Sequence, residues 1–394
     1  MPFTSLLNRR QALAGCLALA GATGGCSSTA DVPASPAVPA QPLQAFVDAL
    51  RQVFRPAGAS RLPVVAVLAH NVGTEITDFL VPHALLARSG VARVQAVALR
   101  SGAVQLVPAL QVLVPCSLED FDAQHPEGAD CVVVPAMLVD DEPVLLAWLR
   151  RQAARGAVIV GVCSGARVLG QAGLLDGRRF TGHWHDRSTL QARHPTAMHV
   201  PSQRYLIDKG VATTTGVSAS IPLSLALVEA LGGTAAAQAL AQQIGMVDWA
   251  PDHTGQAFGL TPPRVAVYLA NRLRGWAGGQ MVVRIADGMD DLRLALAMDA
   301  WSRSHRIAGL VVEPMAAGPG QGVRLASGLS VVQPQGGGVL APLPALPLYA
   351  DVPPARVLDA ALCDIGQRYG AGTRDWVALE MEYAPVHTSR CRIT

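Results

Sequence analysis

The segment from Ala157 to Gly170 places a cysteine at an abrupt change of residue pattern. Four apolar residues, 157–160, lead directly into the glycine-flanked stretch Gly161-Val162-Cys163-Ser164-Gly165. A short run without polar alternation predicts a strand buried on both faces, and the glycines permit a tight turn into a helix. We therefore predict a strand–turn–helix junction, here called the elbow, with Cys163 at the turn. A helix start is expected to lower the pKa of this thiol, although a cysteine can also be a buried, unreactive core residue.

Similar apolar runs alternate with amphipathic segments along much of the chain, which predicts an α/β fold with a parallel sheet sandwiched by helices. We place this domain at residues 43–250, with strands predicted at 63–69, 91–99, 131–134 and 157–162 and helices at 75–88, 141–155 and 164–173. Residues 251–394 predict a smaller C-terminal α+β unit, with helices at 261–276, 290–302 and 354–369 and strands at 281–285 and 375–383.

The first 26 residues have the features of an export signal. Paired arginines, Arg9 and Arg10, precede an apolar stretch that ends at Thr23-Gly24-Gly25-Cys26. The arginine pair favours the twin-arginine route, and Cys26 stands at a lipoprotein-type cleavage site. Residues 27–42 are rich in Ala, Pro and Ser and predict a linker. We expect export to the periplasmic side of a bacterial membrane and anchoring through a lipid on Cys26.

Composition argues against several classes of function. The formal net charge is +2, and only 15% of residues are charged, so no basic surface for nucleic acid is indicated. The seven cysteines form no CxxC pair, and no Cys/His ligand pattern predicts a metal site. We expect no cofactor. An oxidising compartment permits Cys363 to pair with Cys391, but spacing alone leaves the pairing open.

Four stretches resemble the PfpI superfamily, which has a class I glutamine amidotransferase-like, flavodoxin-like fold and includes isonitrile hydratases and a deglycase associated with parkinsonism. They are Gly73-Thr74-Glu75-Ile76-Thr77-Asp78, Val132-Val133-Val134-Pro135-Ala136-Met137, the elbow with the following Thr181-Gly182-His183-Trp184, and Thr214-Thr215-Gly216-Val217-Ser218-Ala219. Their order and spacing match the family from about residue 63 to 245.

The resemblance implies a set of site residues. Cys163 stands where the family has its nucleophile, and Asp78 where it has an acidic side chain beside that thiol. His183 matches a histidine near the nucleophile, and Glu75 is a second carboxylate one helical turn before Asp78. Glu75 is also compatible with a purely structural role at a helix start, and His183 with simple hydrogen bonding.

The resemblance also implies an oxyanion hole. The backbone amides of Ser164 and of Ala136 or Met137 would form it at the carboxyl edge of the sheet.

Two departures narrow the expected activity. Residues 213–217 read Thr-Thr-Thr-Gly-Val where a glutaminase needs His-x-Glu, and Ser164 stands where protease-like members have histidine. We therefore expect neither a glutaminase nor a peptidase, but an exported thiol-dependent enzyme of hydratase or lyase type. Its substrate would be a small electrophile such as an isonitrile or a 2-oxoaldehyde. A non-catalytic ligand-binding or redox-sensing lipoprotein with Cys163 as sensor remains the alternative, and a homodimer is compatible with the family.

Overall fold

A computed structural model of the chain describes residues 40–54, 61–315, 322–332, 342–384 and 391. Residues 40–394 form one compact unit. The predicted export signal with Cys26, and the predicted linker up to residue 39, lie outside the described residues. Within the described part of the chain, no helix is long and apolar enough to cross a membrane.

Strands and helices alternate through the first two thirds of the described chain, as predicted. The strands are β1 Val64–Ala69, β2 Thr74–Glu75, β3 Arg93–Ala98, β4 Gly102–Val107, β5 Leu110–Val114, β6 Cys131–Val134, β7 Val158–Gly161, β8 Arg179–Phe180, β9 Met198–His199, β10 Tyr205–Asp208, β11 Val211–Thr214, β12 Gln280–Ile285, β13 Gly309–Pro314, β14 Val323–Arg324 and β15 Ser330–Val331.

The helices flank these strands. They are α1 Leu43–Val53, α2 Ile76–Ser89, α3 Leu118–Gln124, α4 Pro143–Ala154, α5 Gly165–Gln171, α6 Arg187–Arg193, α7 Ser220–Gly232, α8 Thr234–Ile244, α9 Pro262–Gly275, α10 Asp291–Arg303, α11 Val357–Tyr369 and α12 Ala371–Glu380.

The main sheet has six strands in the order β10-β11-β7-β6-β1-β3. All neighbours are parallel except β10 and β11. Strands β1, β6 and β7 are buried along their whole length, which explains why their sequences show no polar alternation. The predicted α/β fold with a mostly parallel, helix-flanked sheet is confirmed.

Each face of this sheet has its own apolar core. Val65 and Val67 of β1 join the core beneath α1, α2 and α7, whereas Val64 and Ala66 join the core on the other face with Trp148 of α4. This division follows from the alternation of side chains along a strand. Parallel strands end at the same edge of the sheet, so the segments after β1, β6 and β7 come together there.

The region after residue 250 packs on the first of these two cores. Strands β12 and β13 form a parallel pair, and α10 between them packs against α2. The β14–β15 hairpin extends a second sheet, because β15 pairs with β5 in a sheet ordered β14-β15-β5-β4-β2. Contacts therefore cross the boundary predicted at residue 250, which itself stays a prediction.

The predicted strand at 375–383 is wrong, because residues Ala371–Glu380 form helix α12. Its buried residues include Thr373, Trp376 and Val377, which follow the helical spacing of three and four. This face packs against α10 and α11, so tertiary contact selects the helical period in a short apolar segment that sequence alone leaves ambiguous.

Candidate active site

Cys163 lies at a sharp turn between β7 and α5, as predicted. Its φ of 55° is in the left-handed region, which non-glycine residues rarely adopt. The Cys163 amide donates a hydrogen bond of 3.0 Å to Thr214 Oγ1, which ties the turn to the end of β11. Gly165 opens the helix so close to β6 that a Cβ atom there would overlap the Val134 carbonyl oxygen. The turn therefore presents the sulfur at the carboxyl edge of the sheet.

The thiol is buried, with 5% of the residue exposed. Burial raises the pKa of the Cys163 thiol well above its ordinary value, and the nearby carboxyl groups of Asp78 and Glu75 act in the same direction. The positive charge of Arg303 opposes them. This direction is opposite to the one expected from a helix start alone. Desolvation is the largest cause of this upward shift in the pKa.

Asp78 lies in the first turn of α2, fully buried. Its Oδ2 accepts a hydrogen bond of 3.2 Å from the Ala136 amide, and its Oδ1 one of 3.5 Å from the Ser220 hydroxyl, rather than from the sulfur. Burial raises the pKa of Asp78 to about 7, while the Ala136 hydrogen bond acts in the opposite direction. Asp78 can therefore exchange a proton near neutral pH.

Glu75 caps α2, and its Oε2 accepts the Asp78 amide hydrogen at 2.6 Å. This is the helix-start role that the sequence left open for it. Burial, together with the charges of Asp299 and Asp78, raises the pKa of Glu75 well above its ordinary value. Glu75 thus positions the backbone of Asp78 and also belongs to the group of acids around the thiol.

Ser164 forms a hydrogen bond that the sequence did not predict. Its Oγ donates to Asp186 Oδ2 at 2.5 Å and lies 4.0 Å from the Cys163 sulfur. Burial acts to raise the pKa of Asp186, but hydrogen bonds from His185 and Ser164 outweigh it, and the net shift is downward. Asp186 is therefore a carboxylate acceptor, which leaves the lone pairs of Ser164 available to the thiol.

Not every backbone amide expected in the oxyanion hole is available to a ligand. The Ala136 amide is engaged by Asp78. Within the described residues, the backbone amides of Ser164 and Met137 have no hydrogen-bond acceptor. Met137 forms a β-bridge with Thr74, but the hydrogen bonds of that bridge are donated by the amides of the residues that follow each of them. Of the two alternatives left open at this loop, Ala136 donates its amide hydrogen to Asp78, and Met137 stays a candidate donor beside Ser164.

His183 is brought to this edge of the sheet, but both ring nitrogens are occupied. Nε2 donates to the Glu380 carbonyl oxygen at 2.9 Å, and Nδ1 accepts from the His185 amide at 3.4 Å. Burial lowers the pKa of His183, so the ring is neutral at pH 7. Its contacts tie the loop after β8 to α12 rather than reach the thiol.

Two functional candidates come from the C-terminal region, where the sequence offered no signal for them. Arg303, the last residue of α10, contacts Glu75 Oε1 at 3.4 Å. Glu382 follows α12 and is fully buried at its side chain. Its carboxylate accepts hydrogen bonds from the amides of Gly216 at 2.7 Å and Trp184 at 3.1 Å.

The side chains of Arg187 and His253 complete the set of partners around Glu382, at 2.7 and 3.1 Å. Burial acts to raise the pKa of Glu382, but the His253 hydrogen bond and the nearby positive charge of Arg187 hold it below its ordinary value. The carboxylate therefore stays ionised near neutral pH. Across the described ranges, no group of three or more His, Cys, Asp or Glu side chains is arranged to hold a metal ion.

Known proteins resemble this chain over the region that contains Cys163 and Asp78. The sequence profile of the DJ-1/PfpI family matches residues 64–230. An isonitrile hydratase of Pseudomonas putida is 35% identical over 119 residues, which cover 30% of this chain and 50% of that protein. The HTH-type transcriptional regulator CdhR of Pseudomonas aeruginosa is 35% identical over 113 residues, which cover 28% of this chain and 33% of that protein. The matches thus span a third to a half of these relatives.

Among solved structures, DJ-1beta of Drosophila melanogaster is 22% identical, with a TM-score of 0.42, and the alignment covers 48% of this chain and 100% of that one. The profile match contains the elbow, the acid of α2 and the loop after β8, and it ends before α10 begins. Residues 64–230 therefore constitute a DJ-1/PfpI family domain, to which the rest of the chain adds Arg303 and Glu382.

Proposed function

We propose that the chain is a thiol-dependent enzyme in which Cys163 adds to the electrophilic carbon of a small molecule. The reaction would be a hydration or lyase-type conversion of an isonitrile or a 2-oxoaldehyde. The observation that carries this proposal is the elbow itself: a residue with φ of 55° holds a thiol beside an acid whose pKa is about 7. Strained conformations that persist in a fold concentrate at functional sites.

The proton transfers that a hydration requires can be assigned to these side chains. As sulfur adds to the terminal carbon of an isonitrile, the S–H proton passes to Asp78, and the carbon gains a proton where the electron pair collects. Asp78 in its neutral form supplies that proton, and the amides of Ser164 and Met137 face the developing negative charge. Water then adds across the resulting C=N bond, with its hydroxyl group on the carbon and its second proton on the nitrogen. As the C–S bond breaks, the hydroxyl proton passes through Asp78 to the sulfur, which releases the formamide and restores the thiol.

Ser164 and Asp186 have a positioning role in this scheme. The Ser164 hydroxyl donates its hydrogen to the Asp186 carboxylate. The Ser164 oxygen can therefore accept a hydrogen bond from the S–H group of Cys163, whose sulfur lies 4.0 Å away. That contact orients the sulfur in a site where the thiol is the dominant form. Loss of the S–H proton is then coupled to formation of the bond between the sulfur and the substrate carbon.

Cys163→Ser tests the proposal directly. With an isonitrile and with a 2-oxoaldehyde as substrates, turnover is expected to fall by roughly 10⁴-fold or more, as for loss of a nucleophile. Cys116→Ala is the matched control, because Cys116 is another free, buried cysteine and lies outside the site. The control should retain turnover. Activity that survives in a folded Cys163→Ser variant rules out the covalent mechanism.

A non-catalytic ligand-binding or redox-sensing role is the second candidate. The raised pKa of the buried Cys163 thiol weakens it as a nucleophile, which favours ligand binding without turnover, and the relative CdhR is named as a transcriptional regulator. Exposure to peroxide followed by dimedone trapping distinguishes the candidates. A sulfenic acid at Cys163 in a protein that turns over neither substrate class favours the sensor.

We also propose that the protein is exported and lipid-anchored through Cys26. The support is the sequence alone, with Arg9 and Arg10 ahead of an apolar stretch and Thr23-Gly24-Gly25-Cys26 at its end. Labelling of bacteria that express the full chain with radioactive palmitate should mark the wild type and leave Cys26→Ser unlabelled. Equal labelling of both proteins contradicts the anchor.

A further inference from the structure

Arg303 reaches the family domain from a helix that the family match does not include. It ends α10, which packs against α2, and its contact with Glu75 joins residues 228 positions apart in the chain. The Arg303 side chain is 21% exposed and that of Glu75 is 13% exposed. A long, mostly buried side chain held this way loses conformational entropy, so its placement requires compensating contacts.

Those contacts form a chain that leads to the acid beside the thiol. Arg303 Nε donates to Asp299 Oδ1 at 2.7 Å, one turn earlier on α10, and this contact fixes the guanidinium. Nη2 then reaches Glu75 Oε1 at 3.4 Å, while Glu75 Oε2 accepts the Asp78 amide at 2.6 Å. Movement of Arg303 therefore displaces the cap that sets the first turn of α2.

Arg303 also supplies positive charge where acids predominate. The charged groups that face the thiol are Asp78 and Glu75 from α2, Asp186 from the loop before α6, and Arg303. Asp299 and Glu380 face the guanidinium from α10 and α12, and His305 pairs with Glu380 at 3.4 Å. His183 also senses the guanidinium charge but is neutral. Negative charge that forms on sulfur is opposed by the carboxylates and favoured by Arg303.

We propose that Arg303 is a positioning residue for the Cys163 site: its guanidinium fixes Glu75, and through it the Asp78 backbone, and its charge favours the thiolate. The appended C-terminal region therefore completes the site electrostatically. This inference uses the proposed function only in taking Cys163 as the reactive thiol. Its test does not require turnover, so failure of the proposed enzyme activity and failure of this inference are distinguishable.

The test is the rate of Cys163 alkylation by iodoacetamide as a function of pH, in the full chain with Cys16, Cys26, Cys116 and Cys131 replaced by Ala. In Arg303→Gln, the midpoint of the profile should move to higher pH by about one unit, which corresponds to roughly tenfold slower alkylation below the midpoint. Arg303→Lys keeps the charge without the planar fork, and its midpoint should lie between the two. A purely structural residue would not move this midpoint in a folded variant.

Arg293→Gln is the matched control. Arg293 is also on α10, ten positions earlier, where it donates to the Tyr349 carbonyl oxygen, so its loss should leave the midpoint unchanged. A folded Arg303→Gln protein with the wild-type profile overturns the proposal. If Arg303→Gln does not fold, Arg303→Lys decides, because loss of the planar fork should by itself move the midpoint part of the way to higher pH. An unmoved midpoint in a folded Arg303→Lys then overturns the proposal.

Discussion

Cys163 is held in a backbone conformation that costs free energy, and the neighbouring residues maintain it. The hydrogen bond from its amide to Thr214 Oγ1 and the close approach of Gly165 to β6 leave the turn little freedom. A non-glycine residue in the left-handed region typically costs on the order of 1–3 kcal/mol. The folded state is therefore less stable by this amount, and in return the Cys163 sulfur is held in one direction.

Asp78 is the second residue whose state the surroundings determine. An ordinary aspartate is ionised at pH 7, but burial in the first turn of α2 raises the pKa of Asp78 to about 7. The pKa of Asp78 is higher in the folded state than in the unfolded state. At pH values between these two pKa values, Asp78 therefore holds a proton in the folded state that it has lost in the unfolded state. Stability from this group is thus present at low pH and is lost as pH rises from about 4 to about 7.

Asp78→Asn should remove that pH dependence. The variant carries no ionisable group at this position, so wild type should lose stability relative to Asp78→Asn between pH 4.5 and pH 8, by on the order of 2–4 kcal/mol. Urea denaturation at both pH values measures the difference. Asp48→Asn, at an exposed position of α1, is the control and should give the same difference from wild type at both. A pH-independent difference for Asp78→Asn would show that this carboxyl group titrates normally.

Helix α5 shows how a single element controls the geometry of the site. It begins at Gly165, and the Gly165 amide bonds the Val162 carbonyl oxygen at 2.7 Å across the turn. The glycine is required by close approach rather than by backbone angle, because a Cβ would meet the backbone of Val134 and Pro135. A backbone neighbour in a buried strand cannot yield as a flexible side chain would.

Gly165→Ala should therefore destabilise the fold by about 1–3 kcal/mol, as overpacking of a filled core does. Gly279→Ala is the comparison, since a Cβ there would meet nothing within 4 Å. Its effect should stay within about 0.5 kcal/mol of wild type. Guanidinium denaturation of both variants gives the two values. A stability of Gly165→Ala equal to that of Gly279→Ala would mean that α5 can move away from β6 freely.

At the scale of the whole molecule, the C-terminal region is bound to the site side of the family domain. Glu382 accepts four hydrogen bonds there, the Met381 and Glu382 carbonyl oxygens accept the Ser218 amide and hydroxyl, and the Trp184 indole donates to Leu379. A disulfide between Cys363 and Cys391, a pairing that spacing had left open, ties α11 to the chain beyond this segment. The two regions are thus coupled in stability.

Glu382→Gln should reveal that coupling. The glutamine has nearly the same shape but leaves Arg187 and His253 without a carboxylate, so we expect a loss of about 2–4 kcal/mol at pH 7. Because the pKa of Glu382 is lowered in the folded state, the contribution is present above the unfolded value and lost as pH falls through the folded one. Thermal and chemical denaturation of the full chain measure both effects.

Glu313→Gln provides the control for this whole-molecule prediction. Glu313 pairs with Arg284 at 3.0 Å, but both side chains are nearly half exposed, and such surface pairs contribute about 0–1 kcal/mol. A Glu382→Gln variant no less stable than Glu313→Gln would indicate that the Glu382 carboxylate does not contribute to holding the C-terminal region.

The sequence by itself determined the layered α/β fold and the elbow at Cys163, because these depend on local patterns, whereas the position of Asp78 beside the thiol was implied by the family resemblance. Only the tertiary structure decided the helix at Ala371–Glu380, the raised pKa of the thiol and the loss of the Ala136 amide to Asp78. Arg303 and Glu382 also belong to this second group. Burial and charge depend on which distant residues meet, and a contact between residues 228 positions apart leaves no local pattern to read.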